Sequence, residues 1–204
     1  MRITGTGNVG IATTSPNAVL DVLGTTRLGD STTNYTAVSA TGDFNFVGTS
    51  GLAYGSMYTN ADIAVTLTTQ SVWYEIDAAQ AWTTGKVHNC SFTDPKITVT
   101  NAGTYKIEYS VSGSVDANSQ EIEFGIMIDS TVTDGPAHGA AGVQNEGRSQ
   151  ALNDVVAQCG VAILQLAAGK TVSLAARNET AAGDVLTTAH ANLIVTQIAG
   201  VSAA

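Results

Sequence analysis

Three histidines and two cysteines are the side chains of this 204-residue chain best suited to acid–base, nucleophilic or metal chemistry. His88 and His190 fall in predicted strands, where we expect packed or hydrogen-bonded imidazoles, whereas His138 falls in a Gly-rich loop. Cys90 and Cys159 have no Cys or His neighbour at a zinc-site spacing, and we expect two free, buried thiols. The sequence therefore predicts no metal and no cofactor.

Two carboxylates, Glu121 and Glu123, stand two residues apart and so on one face of a predicted strand. Glycosidases need two carboxylates a few ångströms apart, which makes this pair the nearest approach to an active site. A solvated strand edge is the simpler interpretation, and no nucleotide-binding or metalloprotease motif occurs in the chain. The sequence thus favours a protein that is not an enzyme.

Two groups of residues could instead form a binding site. Trp73, Tyr74 and Trp82 are close in sequence and could stack on sugar rings, although packing in a core is the favoured interpretation. The polar, Gly-rich segment 129–148 is long enough to be a functional loop for a cell-surface receptor or glycan. A plain surface crossover is its alternative. The candidate contact residues in this loop are His138, Gln144, Asn145 and Arg148.

Charge and hydropathy exclude several classes of partner. The chain has 8 Lys and Arg against 17 Asp and Glu, a net charge of −9. Nucleic acids and anionic membrane surfaces need clustered basic residues, so neither is an expected partner. No apolar run approaches the length of a membrane-spanning helix, and the first residues lack the apolar core of a signal peptide. We expect no membrane insertion.

The segment 1–52 differs from the rest of the chain in its composition and in the length of its apolar runs. Short apolar runs, such as 9–11 and 18–23, alternate there with Gly, Thr, Ser and Asn, and each run predicts a minimal strand. Such strands cannot bury enough surface to be stable alone. We expect an ordered stalk that packs on copies of itself, on the following domain or on another protein; a disordered linker is the alternative.

From residue 53 the apolar runs lengthen, which predicts a head domain over 53–204. Alternation over 105–111 and 121–128 predicts strands with one buried face, and a turn at 101–103 is expected to close a hairpin. Segment 149–169 fits helical and strand spacing about equally, and its strand-rich surroundings favour a strand. Eight or more strands separated by turns predict an all-β sandwich or jelly roll.

Two predicted strands, 155–166 and 189–198, carry apolar residues on both faces. One face can meet the core of the same chain, and a symmetric copy is the simplest cover for the other. The alternative is a loop that covers the strand. A homotrimer is therefore expected. The predicted interface residues are Val155, Ala157, Val161, Ile163, Leu193 and Val195.

The head resembles the jelly roll of tumour necrosis factors and complement heads over about residues 54–199. The matching segments are Tyr105–Ile128, Gly160–Leu174 and Ala191–Val195. They carry a Gly-x-Tyr strand (Gly103-Thr-Tyr105), an apolar strand, a Leu-x-x-Gly-Lys-x-Val-x-Leu hairpin (Leu166–Leu174) and a final Leu-x-Val-type strand. The resemblance implies a trimer whose threefold axis is lined by the doubly apolar strands.

The first 25 residues or so, from Gly7-Asn-Val-Gly-Ile11 to Arg27-Leu28, are similar to stalk repeats of bacteriophage tail fibres and some bacterial surface proteins. Ala12 replaces the second glycine that such repeats usually carry. Together the two resemblances imply a virion fibre or appendage, with the stalk attached to other virion proteins and the head used for host-surface or subunit binding. A capsid-decorating or assembly protein and a secreted, complement-head-like trimer are the alternatives.

Overall fold

A computed structural model describes residues 1–5, 7–29, 35–38, 44–47, 51–59, 61–77, 82–129 and 145–200. The chain divides into two compact units, Met1–Gly51 and Leu52–Ala204. All regular secondary structure in the described ranges is β-strand, which confirms the all-β prediction and makes 155–166 a strand. Among the described residues no helix has the length and apolar character needed to cross a membrane.

The first unit contains two small sheets. In the first sheet the pair β1–β2 is antiparallel and the pair β2–β3 is parallel, where β1 is Arg2–Ile3, β2 is Val9–Ile11 and β3 is Leu20–Val22. The second is an antiparallel meander of β4 (Thr26–Gly29), β5 (Tyr35–Val38) and β6 (Phe44–Val47). The short runs of the sequence therefore do form minimal strands.

The second unit, called the head below, is a sandwich of two sheets. The strands of sheet one are β7 (Tyr54–Thr59), β8 (Ile63–Leu67), β10 (Thr83–His88), β13 (Gly103–Val115), β16 (Val155–Leu166) and β18 (Asp184–Gly200). Their order is β10-β7-β18-β13-β16, and β8 also pairs with β18. The longest ladders run between β13 and its two neighbours, so β13 and β18 form the centre of this sheet.

Sheet two packs on one side of sheet one. Its strands are β9 (Tyr74–Glu75), β11 (Cys90–Thr93), β12 (Lys96–Val99), β14 (Glu121–Ile128), β15 (Asn145–Arg148) and β17 (Thr171–Asn178). Their order is β11-β12-β17-β14-β15, and β9 also pairs with β17. The chain passes repeatedly from one sheet to the other, as it does between β12 and β13 and between β16 and β17. This winding produces the jelly roll.

The core lies between the inner faces of the two sheets. Tyr105, Ile107 and Tyr109 fill it from sheet one, and Ile122 and Phe124 meet them from sheet two. Burying one such side chain stabilises the fold by about 1.5–3 kcal/mol, so the alternation in the sequence is the main source of the sandwich. The Tyr109 hydroxyl also donates a hydrogen bond of 3.1 Å to the carbonyl of Phe124, which ties the two sheets together.

Several predicted local structures differ in the head. The turn at 101–103 does not close a hairpin, because β12 belongs to sheet two and β13 to sheet one; segment 166–174 likewise connects the two sheets. Asn89 has a positive φ of 50° and turns the chain from β10 into β11, so the run over 88–92 does not form one strand. The apolar run over 72–76 contains only the two-residue strand Tyr74–Glu75. Alternating runs alone cannot tell a hairpin from a passage between sheets.

Candidate functional site

The side chains that point out of β16 form an apolar row on the outer face of sheet one, away from sheet two. Val155, Val161 and Ile163 are 70%, 54% and 63% exposed, although they belong to a twelve-residue strand. The inward residues of β16, such as Val156 and Ala162, are buried. The predicted interface residues of this strand, Val155, Ala157, Val161 and Ile163, therefore point outward, and their role in an interface stays a prediction. The complete row, called the β16 row, is Val155, Ala157, Cys159, Val161 and Ile163.

A second exposed apolar group lies on the same outer face, on β7 and β18. Its members are called the β7/β18 patch: Tyr54, Tyr58, Ile194 and Ile198. The ladder between the two strands pairs Tyr58 with Asn192 and Ser56 with Ile194, which places these side chains on one side of the sheet. Large exposed apolar groups on a soluble protein mark places where another surface binds.

The outward side chains of β13 are polar and separate the two apolar groups. Lys106 and Glu108 form an ion pair in which Nζ lies 2.7 Å from Oε1. Towards the other end of the strand, Ser110, Ser112 and Ser114 continue the polar row. In the ladders Ser110 lies between Cys159 of β16 and Asn192 of β18, and it accepts a 2.6 Å hydrogen bond from the Asn192 amide.

The small residues of β13 create a concavity in this outer face. Its volume is about 540 Å³, and Ser110 and Ser112 lie between its walls on β7, β16 and β18. The wall residues include Tyr58, Cys159, His190 and Asn192. His190, predicted to be a packed histidine, is therefore exposed in a polar depression. No group of three or more His, Cys, Asp or Glu in the described part of the chain has the arrangement of a metal site.

Two residues that were predicted to lie in the interface, Leu193 and Val195, point inward to the core. Leu193 and Val195 are fully buried and pack in the core between the sheets. Both faces of β18 carry apolar residues, so the sequence pattern did not show which set points outward. The outward residue between them is Ile194, which is 40% exposed. The interface prediction is corrected accordingly: Ile194 and Ile198 belong to the outer face, and Leu193 and Val195 do not.

The aromatic candidates lie in packed positions. Trp82 is buried and donates a 2.7 Å hydrogen bond from its indole nitrogen to the carbonyl of Ile76. Trp73 is also buried, with the Arg177 guanidinium 4.7 Å from its ring centre. Tyr74 is half-buried, and its hydroxyl lies 2.6 Å from the Thr68 hydroxyl. Neither indole presents a ring face to solvent, in agreement with the favoured interpretation of packed residues. Trp82 belongs to the core between the sheets, and Trp73 packs in a separate cluster with Met127 and Ala175.

The loop candidates are described only at their C-terminal end. His138 and Gln144 lie outside the described residues, and Asn145 is the first residue of β15, opposite Phe124. The Arg148 side chain is exposed, and its guanidinium lies 3.3 Å from a carboxylate oxygen of Glu121. The loop starts after Asp129, whose carboxylate accepts hydrogen bonds from the Thr171 amide and the Lys170 ammonium. These bonds hold the pKa of Asp129 below its ordinary value.

Sheet two has an outer face of a different character. Glu123 lies 2.8 Å from the Arg177 guanidinium, and Lys96 lies 3.4 Å from Glu75. Glu121 and Glu123 each have an arginine partner, Arg148 and Arg177, and Arg177 also contacts Glu179. Glu121 is partly exposed, as the solvated-edge interpretation expects, whereas Glu123 is only 14% exposed.

The two cysteines lie in contrasting environments. Cys90 is half-buried at the start of β11 next to Gly55, and burial raises the pKa of its thiol to about 11. Cys159 is exposed in the middle of the β16 row. The expectation of two buried thiols is therefore wrong for Cys159, which is not buried within its own chain. The alternation of β16 places it outward with Val161.

Gln197 has a structural role in the head that the sequence analysis did not predict. Its buried amide accepts a 2.9 Å hydrogen bond from the Ala53 N–H and donates one of 3.2 Å to the Ala102 carbonyl. A side chain on Gly103 would lie 2.3 Å from this amide, so the glycine of the Gly-x-Tyr motif makes room for it. Tyr105, the motif's other member, donates a 2.6 Å hydrogen bond to the Asn101 carbonyl.

Comparison with known proteins supports the fold. No family model and no curated protein matches the chain. The Eiger tumour necrosis factor of S. frugiperda superposes with a TM-score of 0.53 at 15% identity, over 74% of this chain and 96% of that one. The globular domain of a zebrafish complement 1qA protein superposes with a TM-score of 0.40 at 11% identity, over 72% and 97% of the two chains. The head is thus a jelly roll of the tumour-necrosis-factor type.

Proposed function

We propose that the chain is a non-enzymatic binding protein whose head assembles as a homotrimer through the outer face of sheet one. The observation that carries the proposal is the pair of exposed apolar groups on this face, the β16 row and the β7/β18 patch. A twelve-residue apolar strand face left in water costs free energy that an assembly recovers. The jelly-roll fold supports the proposal, since the families that the head resembles are trimeric.

The arrangement of the two groups favours a ring over a twofold dimer. They differ in composition, one aliphatic and one containing Tyr54 and Tyr58, and the polar row of β13 separates them. A contact between unlike patches is heterologous, and such contacts close into rings when the rotation allows it. Packing the β16 row of one copy on the β7/β18 patch of the next covers both groups on every copy.

The first unit supports an attachment role. In its described part, polar side chains make local hydrogen bonds: the Thr4 hydroxyl accepts the Asn8 N–H at 3.1 Å and the Asp21 carboxylate accepts the Asn17 N–H at 2.8 Å. Apolar side chains of the same part are exposed, and the most exposed are Met1, Ile3, Val19, Leu20 and Leu23. Exposed apolar groups on such short strands favour a partner, either copies of the unit or another protein.

We therefore infer a place on a virus particle. The fibre-like motif at residues 7–28 and the outward apolar side chains of the first unit support attachment to other virion proteins. The head would then bind a host surface or a neighbouring subunit, with the loop at 129–148 as the leading contact region. Labelling of purified particles with antibody to the head tests the location. Particles that carry no label would overturn it.

Sedimentation equilibrium of the full chain tests the assembly. The wild-type chain is expected to have three times its monomer mass at micromolar concentration. The Val161→Asp change places a charge in the β16 row and should give monomers, whereas Ser91→Asp, an exposed position on sheet two, should leave the trimer intact. A wild-type monomer at these concentrations contradicts the proposal.

A further inference from the structure

The concavity over Ser110 and Ser112, called the serine concavity below, has a structural cause in the strands beside it. β18 pairs with β7 over Ala191–Thr196 and with β8 over Asp184–Thr188, which leaves residues 189–190 between the two ladders. The ladder between β13 and β18 also shifts register after Ser112. Such irregularities re-aim side chains and are common beside functional sites. The hollow of about 540 Å³ lies within the range of roughly 300–1,000 Å³ that is typical of small-molecule sites.

Several polar side chains of the serine concavity have free hydrogen-bonding groups. The Tyr58 hydroxyl, the Ser112 hydroxyl and the His190 imidazole line the hollow and make no hydrogen bond to any described residue. Asn192 uses its amide nitrogen on the Ser110 hydroxyl at 2.6 Å, which orients the amide and leaves its carbonyl oxygen free. Because these groups are unpaired, they can bind a ligand that offers both donors and acceptors.

The lining also determines the charge of a suitable ligand. None of the described residues that line the serine concavity is Lys, Arg, Asp or Glu. An ionic ligand would lose water there without gaining an opposite charge, so a neutral ligand is favoured. On one wall the ring of Tyr58, which is 42% exposed, presents apolar surface, and Ala157 adds a methyl group on another. The hollow therefore combines apolar surface with uncharged hydrogen-bonding groups.

We propose that the serine concavity binds the ring of a neutral hexose, stacked on Tyr58. A pyranose ring has a face of C–H groups and a rim of hydroxyls, each of which both donates and accepts hydrogen bonds. The C–H face matches the aromatic ring, and the hydroxyls match the side chains of Ser112, His190 and Asn192. The inference goes beyond the proposed assembly, because every group that it uses belongs to one chain.

The sugar and a neighbouring copy would compete for one surface. Tyr58 belongs both to the wall of the serine concavity and to the β7/β18 patch, which the proposed trimer covers. A hexose stacked on this ring occupies the place of the neighbour's β16 row. The sugar is therefore expected to bind the single chain, and a chain that carries it should assemble less tightly.

Binding is tested in the full-length Val161→Asp variant, which leaves the lining of the hollow unchanged. Methyl α-D-glucopyranoside, methyl β-D-galactopyranoside and N-acetylglucosamine are titrated separately while the backbone amides are followed by NMR. At least one sugar should bind with a dissociation constant on the order of 1 mM, as expected for a ligand of this size. The largest shifts should come from Ser110, Ser112, His190 and Asn192.

Two further compounds separate a hexose from other occupants. Glucuronate keeps the pyranose ring and adds a carboxylate, and it should not bind because no cation lines the hollow. Cyclohexanol has an apolar ring of similar size with one hydroxyl, and it should bind at least about tenfold more weakly than the best sugar. The inference is overturned if none of the three sugars binds, if either control compound binds equally well, or if the shifts come only from residues outside the concavity.

A matched pair of tyrosines tests the stacking. In the Val161→Asp background, Tyr58→Ala should raise the dissociation constant of the best sugar by about fivefold or more, because the ring surface is lost. Tyr54→Ala removes an exposed tyrosine from the same strand and the same face outside the concavity, and it should leave the dissociation constant unchanged. Melting temperatures of both variants show that the fold is intact. Equal effects of the two changes would contradict the proposed site.

The wild-type chain tests the competition separately. With the best sugar at about ten times its dissociation constant, the protein concentration of half-dissociation of the trimer should rise by at least about tenfold. A sugar that binds without changing this concentration would contradict the competition and leave the hexose site in place. A wild-type chain that is monomeric without sugar would contradict the proposed trimer instead, and the sugar titration of that chain would still decide the site.

Discussion

The two sheets of the head have the same kind of inner face and opposite kinds of outer face. Inward, Ile107 of sheet one and Phe124 of sheet two contribute to one buried core. Outward, sheet two carries ion pairs such as Glu123 with Arg177, whereas sheet one carries the apolar β16 row. The residues of the inner faces are thus determined by the shared core, whereas the residues of the outer faces differ with what each face contacts. The exposed apolar groups of sheet one are the observation on which the proposed assembly rests.

The largest effect is expected from the ion pairs on the outer face of sheet two. The contrast between the two outer faces would be contradicted if these ion pairs contributed nothing to stability. Arg177 and Glu123 are only 15% and 14% exposed, so Arg177→Met leaves a nearly buried carboxylate without its cation. We expect a loss of about 3 kcal/mol in the free energy of unfolding, measured by urea denaturation. Arg148→Met, which removes an exposed guanidinium, should cost less than about 1 kcal/mol. Equal losses would contradict the distinction.

A second prediction concerns the outer face of sheet one. Ile163 is largely exposed in the single chain, so Ile163→Ser should leave the unfolding of dilute protein nearly unchanged. The melting temperature of the wild-type chain should rise with protein concentration, because assembly stabilises the folded state by mass action. The variant should lose most of that rise, equivalent to about 2 kcal/mol per chain. A concentration-independent wild type would show that this face is not an interface.

A smaller effect is expected in the rates at which the thiols of Cys159 and Cys90 are modified. In the proposed assembly Cys159 would be covered, and it should then react with an aromatic disulfide reagent at least about tenfold more slowly than in the Val161→Asp variant. Cys90, whose pKa is raised to about 11 by burial, should react in neither form until the protein unfolds. Equal reactivity of Cys159 in both forms would place it outside any interface.

The smallest effect is expected at the start of the 130–144 loop. Hydrogen bonds from Lys170 and Thr171 lower the pKa of Asp129, so this carboxylate stabilises the fold above its ordinary pKa of 3.8, and the contribution disappears as pH falls through the lowered value. The Lys170 and Asp129 side chains are 44% and 40% exposed. Screening by water therefore limits the contribution of this ion pair at pH 7 to about 0.5 kcal/mol. Urea midpoints of wild type and Asp129→Asn at pH 7 and 2.5 should converge in acid. A constant difference would contradict the assignment.

Much of the sandwich could be predicted, since the alternation over 105–111 places polar and apolar residues on opposite faces. The same logic failed at Leu193 and Val195, because Ile194 and Ile198 make β18 apolar on both sides. Register shifts between Thr104 and Tyr105 and between Ser112 and Gly113 add irregularities that no periodicity shows. The connections were misjudged for a physical reason. A turn at 101–103 has the same residue types whether its strands pair or lie in opposite sheets.

The candidate site was predicted in part. The sequence showed that β16 is apolar on both faces, but, as for β18, this pattern did not show which set points outward. The position of the Lys106–Glu108 pair was not evident either, because two charged residues on an alternating strand are typical of a solvent-exposed face. Only the ladders show that this pair lies between two apolar groups. Gln197 left no signal in the sequence, since its role depends on Ala53, 144 positions away.

That contact between Ala53 and Gln197 has a mechanical consequence. The Ala53 N–H donates to the Gln197 side chain and the Gln197 N–H donates to the Ala53 carbonyl at 2.7 Å, so the chain enters the head through two opposed hydrogen bonds. Tension arriving along the preceding segment therefore acts first on Ala53, before it reaches β7. Beyond this contact, six residue pairs join β7 to β18, from Tyr54–Thr196 to Thr59–Ala191. The two hydrogen bonds therefore fasten the residue before the first strand of the head to its last strand, so the head is closed at the point where the chain enters it.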